Sequence, residues 1–333
     1  MTNDLIALLQ PITNAAGNPR GESMTFDLEV VTPMFLAGAD AKNSNLDHEW
    51  LRVPSLRGVL RWWWRSTQVT SDPVTLSKDE SEIWGSTTRQ GLFISSLKSS
   101  YTAIDKDIAD GPGSPTFYLG YGAVGKISRN SIERGKPAIS AGIFSFHATG
   151  SKKQIDALRS ILRLLSVFGG LGSRSRKTWG SVMWASDNGT PLPLHLNATE
   201  LKKSLHLTFN TLSCRKIDGV AISHSVLSSE AKLVVSEREF DDPGEIRQKL
   251  FGILKGEKGQ PGTHKGQWCF GLPHPAYKGP KLNRRGSSIL FKIHRLKSGF
   301  GLSALLMGGK FLPHGVQPSL DPLISTLNAV ERL

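Results

Sequence analysis

Cysteine is nearly absent from this 333-residue chain: Cys214 and Cys269 are the only two, far apart and outside any CxxC spacing. That excludes a disulfide framework and a cysteine-based structural zinc site, and both are read as buried thiols that behave as small hydrophobes. Long apolar runs are missing too. None approaches the roughly 18 residues of a spanning helix, and no basic amphipathic segment stands alone, so a membrane partner is not expected. The first residues, MTNDLIALLQP, carry an acid before a short apolar run, which is not the pattern of a signal peptide, and the cytoplasm is the expected location. Acidic residues are the third shortage. Asp and Glu number 28 against 41 Lys and Arg, a formal charge of +13 that biases association towards polyanions, nucleic acid first.

What is present describes a folding, loop-rich chain. The hydrophobic fraction is 38%, with 34 glycines and 18 prolines, and the length suggests two domains at about 100–200 residues each. MTFDLEVVTPMFLAG, from Met24, alternates as a half-buried strand does. Val53 to Thr67, with Pro54 near its start, has helical spacing. GLFISSL (91–97) and AISAGIFSFHAT (138–149) read as strands around a glycine-rich section suited to a hairpin. KKQIDALRSILRLLSVFG, from Lys152, is an amphipathic helix with Ile155, Leu158, Ile161, Leu162 and Leu165 on one face, and SVMWA returns as a strand.

Strand-helix-strand-strand-helix-strand is the ferredoxin-like order that RNA-recognition modules also use. The turn-rich DNGTPLPLHLNATE (187–200) marks a boundary. Beyond it SLHLTFNTL starts as a strand, EIRQKLFGILKG suggests a helix, SSILFKIHRL and SALLMGGKFLP are strand-like, and an amphipathic helix is expected from about Asp321 to Arg332. The expected architecture is therefore α+β, with tandem ferredoxin-like (RRM-like) domains: residues 1–190 with an insertion around 100–136, and residues 191–333 as a degenerate second copy.

Two constellations carry chemistry. In RGVLRWWWR, Leu56, Val59, Leu60 and Trp63 share one side of a helix, while Arg57, Arg61 and Arg65 follow at i, i+4, i+8 on the other and rise about 12 Å, enough to meet more than one phosphate. Trp64 borders the arginine row and Trp62 lies on the other flank, placed to stack bases or arginine planes. The same pattern also suits a solvated charged face, or arginines paired with acids of another subunit. The second constellation is GGLGSRSRKTWGS (169–181). Gly169, Gly170 and Gly172 permit close backbone approach, so that neighbouring amides, Ser173 among them, can face an anion, and Arg174, Arg176 and Lys177 add charge. It matches neither G-x-x-x-x-G-K-[ST] nor G-x-G-x-x-G, so nucleotide binding is not indicated. A plain glycine-rich turn with surface charge is the simpler alternative.

Further basic positions are Lys42, Arg129, Arg134, Lys278, Lys281, Arg284 and Arg285. For catalysis the loop GADAKNSNLDHEW offers Asp40, Asp47, His48 and Glu49, without the H-E-x-x-H spacing of a zinc site. Loop polarity or helix capping is the preferred account of them. No metal and no cofactor is expected.

TPMFLAGAD, VPSLRGVLRWWWR, FGGLGSRSRKTWGSV and FGLPHPAYKGPKLNRRGSSILFKIHRL, in that order, resemble the RAMP proteins of CRISPR systems, and among them the first-numbered RAMP subunit of type III-B (Cmr) effector complexes. The resemblance implies paired ferredoxin-like domains and a non-enzymatic antiviral role, holding crRNA or its duplex with target RNA near the 3′ end of the guide, beside other subunits of a ribonucleoprotein complex. It places Gly169, Gly170, Gly172, Arg174 and Arg176 on the superfamily's glycine-rich loop, and Arg57 and Arg61 on a helix that faces RNA. In related backbone subunits an aspartate in the loop after the first strand cuts target RNA. Asp40 and Asp47 occupy that region, but this subunit type is not expected to cut. Two other classes fit the residues: a metal-independent endoribonuclease that matures CRISPR transcripts, and a scaffold whose basic face docks an acidic protein.

Overall fold

The structure, a computed structural model, describes residues 21–36, 51–97, 99–104, 111, 113–128, 131–135, 137–213, 224–255, 287–309 and 330–332. Its first sheet grows around β1 (Glu22–Val30), whose alternation puts Met24, Phe26, Leu28 and Val30 inside. β1 pairs antiparallel with the long β6 (Ala138–Gly150) on one side and with β7 (Val182–Asp187) on the other. Register sets Phe26 opposite Phe146, ring centroids 5.3 Å apart. β2 (Phe93–Ser96) and then β3 (Ser100–Ile104) line the far edge of β6, while the two-residue β8 (Thr190–Pro191) extends β7.

Helices cover the inner face of this sheet. α1 (Val53–Ser66) begins with Pro54 in its first turn, as the sequence suggests. α4 (Lys152–Phe168) begins with a reciprocal capping box between Ser151 and Gln154 and buries all five apolar residues of the predicted face. Between α1 and β2 lies α2 (Pro73–Trp84), which the sequence reading overlooked although Asp72 caps it and Pro73 opens it. The insertion holds a short α3 (Pro115–Gly120) and the hairpin β4 (Gly125–Ser128) with β5 (Ser131–Arg134), as its glycine content suggested.

The remainder comprises α5 (Ala198–Ser213), β9 (Lys232–Val235), α6 (Pro243–Lys255), β10 (Ile289–Arg295), β11 (Phe300–Leu306) and β12 (Val330–Arg332). Two expectations are corrected. SLHLTFNTL is helical within α5: Leu201, Leu205 and Phe209 recur every four residues and are buried, whereas Leu207, which completes a period-two alternation, is 71% exposed. Val330–Arg332, expected at the end of a helix, instead pairs antiparallel with β9, while the rest of that expected helix, 321–329, lies outside the described residues.

Both sheets are antiparallel, and the fold is α+β. Counting β1, β2, β6 and β7 in chain order, the first sheet runs 4-1-3-2; counting β9 to β12, so does the second, as β12-β9-β11-β10. The second sheet is buried on both faces. Leu233, Val235, Leu290 and Leu305 join the core that holds β1, α1 and α4, while Ile289, Phe291, Ile293 and Leu302 pack with Ile246 and Leu250 of α6. α4 therefore lies between the sheets. No described helix is long and apolar enough to cross a membrane.

Candidate nucleic-acid interface

The arginine row of α1 does not face open solvent. Arg61 donates through Nε to Glu80 of α2 at 2.6 Å, and Arg65 donates through Nε and Nη2 to the same carboxylate at 2.9 and 2.8 Å. Arg57 donates to the carbonyl of Trp84 at the end of α2. The bond to Glu80 raises the Arg65 pKa, while burial followed by the charge of Arg61 lowers that of Arg57. The like-charge repulsion along the row is thus met inside the molecule, by a helix that was not foreseen.

The three tryptophans separate differently from expectation. Trp63 is core, as read, but Trp64 is also buried, 7% exposed and packed in the same cluster. Its ring is turned into the fold, and a base has no access to it there. Trp62 stays half-buried. The Arg176 guanidinium of the glycine-rich loop lies over it, 5.0 Å from the ring centroid. The two segments singled out from sequence therefore meet, through that pair and through Gly169, where a Cβ would stand 2.7 Å from the Trp63 indole nitrogen.

The loop begins at Gly169, which caps α4, and returns to β7 through a bridge between Gly170 and Ser181. Gly172 (φ 79°) and Gly180 (φ 59°) are left-handed; a Cβ on Gly172 would lie 2.5 Å from the Phe35 carbonyl oxygen, so glycine is required for close approach to the chain that follows β1. The amides of Leu171, Ser173, Lys177, Thr178 and Gly180 donate to protein carbonyls. The expected cradle of amides is in this respect corrected: much of the loop backbone is spent on holding the loop itself.

Its side chains divide by depth. Arg174, left-handed at φ 62°, is exposed. Arg176 is half-buried and donates to the Ser287 carbonyl at 2.5 Å, and burial lowers its pKa. Lys177 is half-buried, and burial first, then the charge of Arg174, lowers its pKa. Lys42, Arg284 and Arg285, and the acidic loop with Asp40, Asp47, His48 and Glu49, lie outside the described residues, as do Arg129, Lys278 and Lys281.

Two buried cations escaped the sequence reading. Lys292 of β10 donates to the carbonyls of Leu165 (3.3 Å), Gly169 (2.5 Å) and Val182 (2.6 Å), which ties the second sheet to the C-terminus of α4 and the root of the loop. Burial brings its pKa down to about 7. Arg247 of α6 stacks on Trp179 at the loop's end, 4.0 Å from the ring centroid. The outer face of the first sheet, where RNA-recognition modules carry stacking aromatics, presents Thr25, Asp27 and Glu29 on its central strand. Among the described residues this central strand carries no aromatic side chain on that face, and the exposed Phe93 stands on β2.

Residues 27–182 match the RAMP superfamily. A curated relative, CRISPR system Cmr subunit Cmr1-2 of Pyrococcus furiosus, is 37% identical over 65 residues, 19% of this chain and 32% of the relative, so the match spans about a third of that protein's length. The crystal structure of Cmr1 from Pyrococcus furiosus in its apo form superposes with a TM-score of 0.60 at 19% identity, over 93% of this chain and 98% of that one. A chain of the type III-B Cmr-beta complex bound to cognate target RNA gives 0.55 at 12% identity, over 92% and 98%. Residues 27–182 thus match the RAMP superfamily, and over nearly its whole length the fold resembles that of Cmr1 from Pyrococcus furiosus.

Proposed function

We propose that this chain is a non-catalytic RNA-binding subunit of a type III-B CRISPR effector complex, holding crRNA or the crRNA–target duplex near the 3′ end of the guide. The observation that carries the reading is the glycine-rich loop, which is braced at both ends by protein hydrogen bonds and offers Arg174 to solvent on a chain of charge +13. The likeness to a chain of a complex bound to target RNA supports it. Grip is electrostatic: loop cations take phosphates, and base pairing by the guide supplies sequence choice. Lys42, Arg284 and Arg285 are assigned as further phosphate contacts on their charge alone, and other Cmr subunits are the protein partners, in the cytoplasm. Each half, 1–190 and 191–333, is read as ferredoxin-like, an assignment supported by the repeated 4-1-3-2 order.

The test is affinity for a single-stranded RNA of about 30 nucleotides over a salt series, with the RNA checked on a gel for cutting. Arg174→Ala with Lys177→Ala should lower the salt slope by about two and weaken binding, leaving the RNA intact. Arg61→Ala with Arg65→Ala should act through stability, since both arginines are engaged with Glu80. Cleaved RNA with EDTA present would point to the endoribonuclease, and an unchanged slope in the loop variant would remove the loop from the interface.

A further inference from the structure

Trp179, the aromatic residue that ends the glycine-rich loop, is 0% exposed, with Phe35 against it at 5.1 Å between ring centroids. The Arg247 guanidinium stacks on the same ring, and Arg247 is itself only 6% exposed. Stacking satisfies the ring and not the donors. Among the described residues nothing accepts a hydrogen bond from Nε or Nη2 of Arg247, or from Nε1 of Trp179. Three donor atoms at one spot therefore lack acceptors, although the large majority of buried side-chain polar atoms are paired. An uncompensated cation is a standing cost to the fold. Burial draws its pKa down to about 10, with the charge of Asp242 acting in the other direction.

The surroundings favour an anion. Arg174 reaches over the turn after α3, where a Cβ on Gly122 would stand 3.2 Å from its Nη2, and the same construction at Gly120 meets Trp179 Nε1 at 3.2 Å. Any larger residue at Gly120 would crowd the indole donor. Lys177 lies within reach of the Arg174 charge. In burial these cations grade from exposed Arg174 through half-buried Lys177 to buried Arg247. A ligand that satisfies a guanidinium fork and an indole N–H together needs several oxygens on one small anionic centre, which describes a phosphate better than a carboxylate.

We infer that Arg247 and Trp179, with Arg174 and Lys177 at the approach, form a binding site for a single phosphate group. The source is a phosphodiester of bound RNA or free phosphate, and only the first alternative rests on the RNA-holding function proposed above.

The experiment compares wild type with Arg247→Met, which keeps the apolar stem over the ring, Trp179→Phe, which removes one donor, and Arg174→Ala at the exposed end. Melting temperatures are read with and without inorganic phosphate, and RNA affinity over a salt series. In phosphate-free buffer Arg247→Met should melt above wild type, because it deletes an unpaired buried charge. Phosphate should raise the wild-type melting temperature, raise that of Arg174→Ala and Trp179→Phe less, and leave Arg247→Met unmoved. If RNA supplies the phosphate, Arg247→Met also lowers the salt slope by about one. A phosphate response with an unchanged RNA slope identifies free phosphate as the ligand and leaves the RNA-holding function to stand or fall on Arg174 and Lys177. The site is overturned if Arg247→Met melts below wild type, if phosphate shifts wild type and Arg247→Met equally, or if neither phosphate nor RNA distinguishes them.

Discussion

At Glu80 one carboxylate accepts from both Arg61 and Arg65, with its side chain 10% exposed against 39% and 40% for the arginines. Burial works against the charge, but the hydrogen bonds from Arg65 and Arg61 prevail and hold the carboxyl below its usual range. A depressed carboxyl pKa stabilises the fold above the unfolded value, near 4.3, and that contribution disappears as pH falls through the folded value. Glu80→Gln should therefore cost about 1 kcal/mol at pH 7, because solvent reaches the half-buried arginines and screens the pair, and nothing in strong acid. Urea unfolding at pH 7, 5 and 3 measures the closing gap. Lys292 gives the opposite slope. Its folded pKa of about 7 lies below the unfolded value near 10.4, so the unfolded chain binds more protons between those limits and stability rises with pH across them. The stability of wild type relative to Lys292→Met should grow from pH 7 to pH 10; a constant difference would mean that the ammonium is not desolvated.

Among the elements, the loop after α4 depends most on single atoms. Gly172→Ala should lower stability by roughly 1–3 kcal/mol, since it places a Cβ against the Phe35 carbonyl and asks an L-residue for a left-handed φ. Thermal unfolding will register it, and an unchanged midpoint would mean that the Phe35 carbonyl yields. This loop was legible in the sequence because glycine and positive charge concentrate within thirteen residues. α1, α4 and β1 were legible for a similar reason, a face that repeats at one clear period. α5 was not, because Leu205, Leu207 and Phe209 satisfy a period of two while Leu201, Leu205 and Phe209 satisfy a helix, and only burial separates them. Glu80, Lys292 and Arg247 were invisible as functional positions. A single charged residue gives no sign of a partner that lies far along the chain, as Lys292 lies 123 residues from Gly169. The arginine row was seen and its spacing is real, but what it faces was decided by α2.

Across the whole molecule, the largest apolar cluster does not stop at residue 190: Leu201, Leu205, Leu233, Leu290 and Leu305 belong to the same core as Phe26, Leu60 and Leu158. Arg295 adds an ion pair to Glu29 across the same junction. The full chain should accordingly unfold in one calorimetric transition, with no separate melting of the two halves. Two well-separated transitions would show that each half carries a sufficient core of its own.

That junction also has a consequence in time. β1 leaves the ribosome early, yet the apolar wall that covers the far side of α4 comes from β10 and β11, which end at Leu306. At about 5–20 residues per second, roughly 7 to 28 s pass between the completion of α4 at Phe168 and that of the wall at Leu306. Through that interval the inner helices present an uncovered greasy side to whatever else is in solution. A chaperone has its opening then.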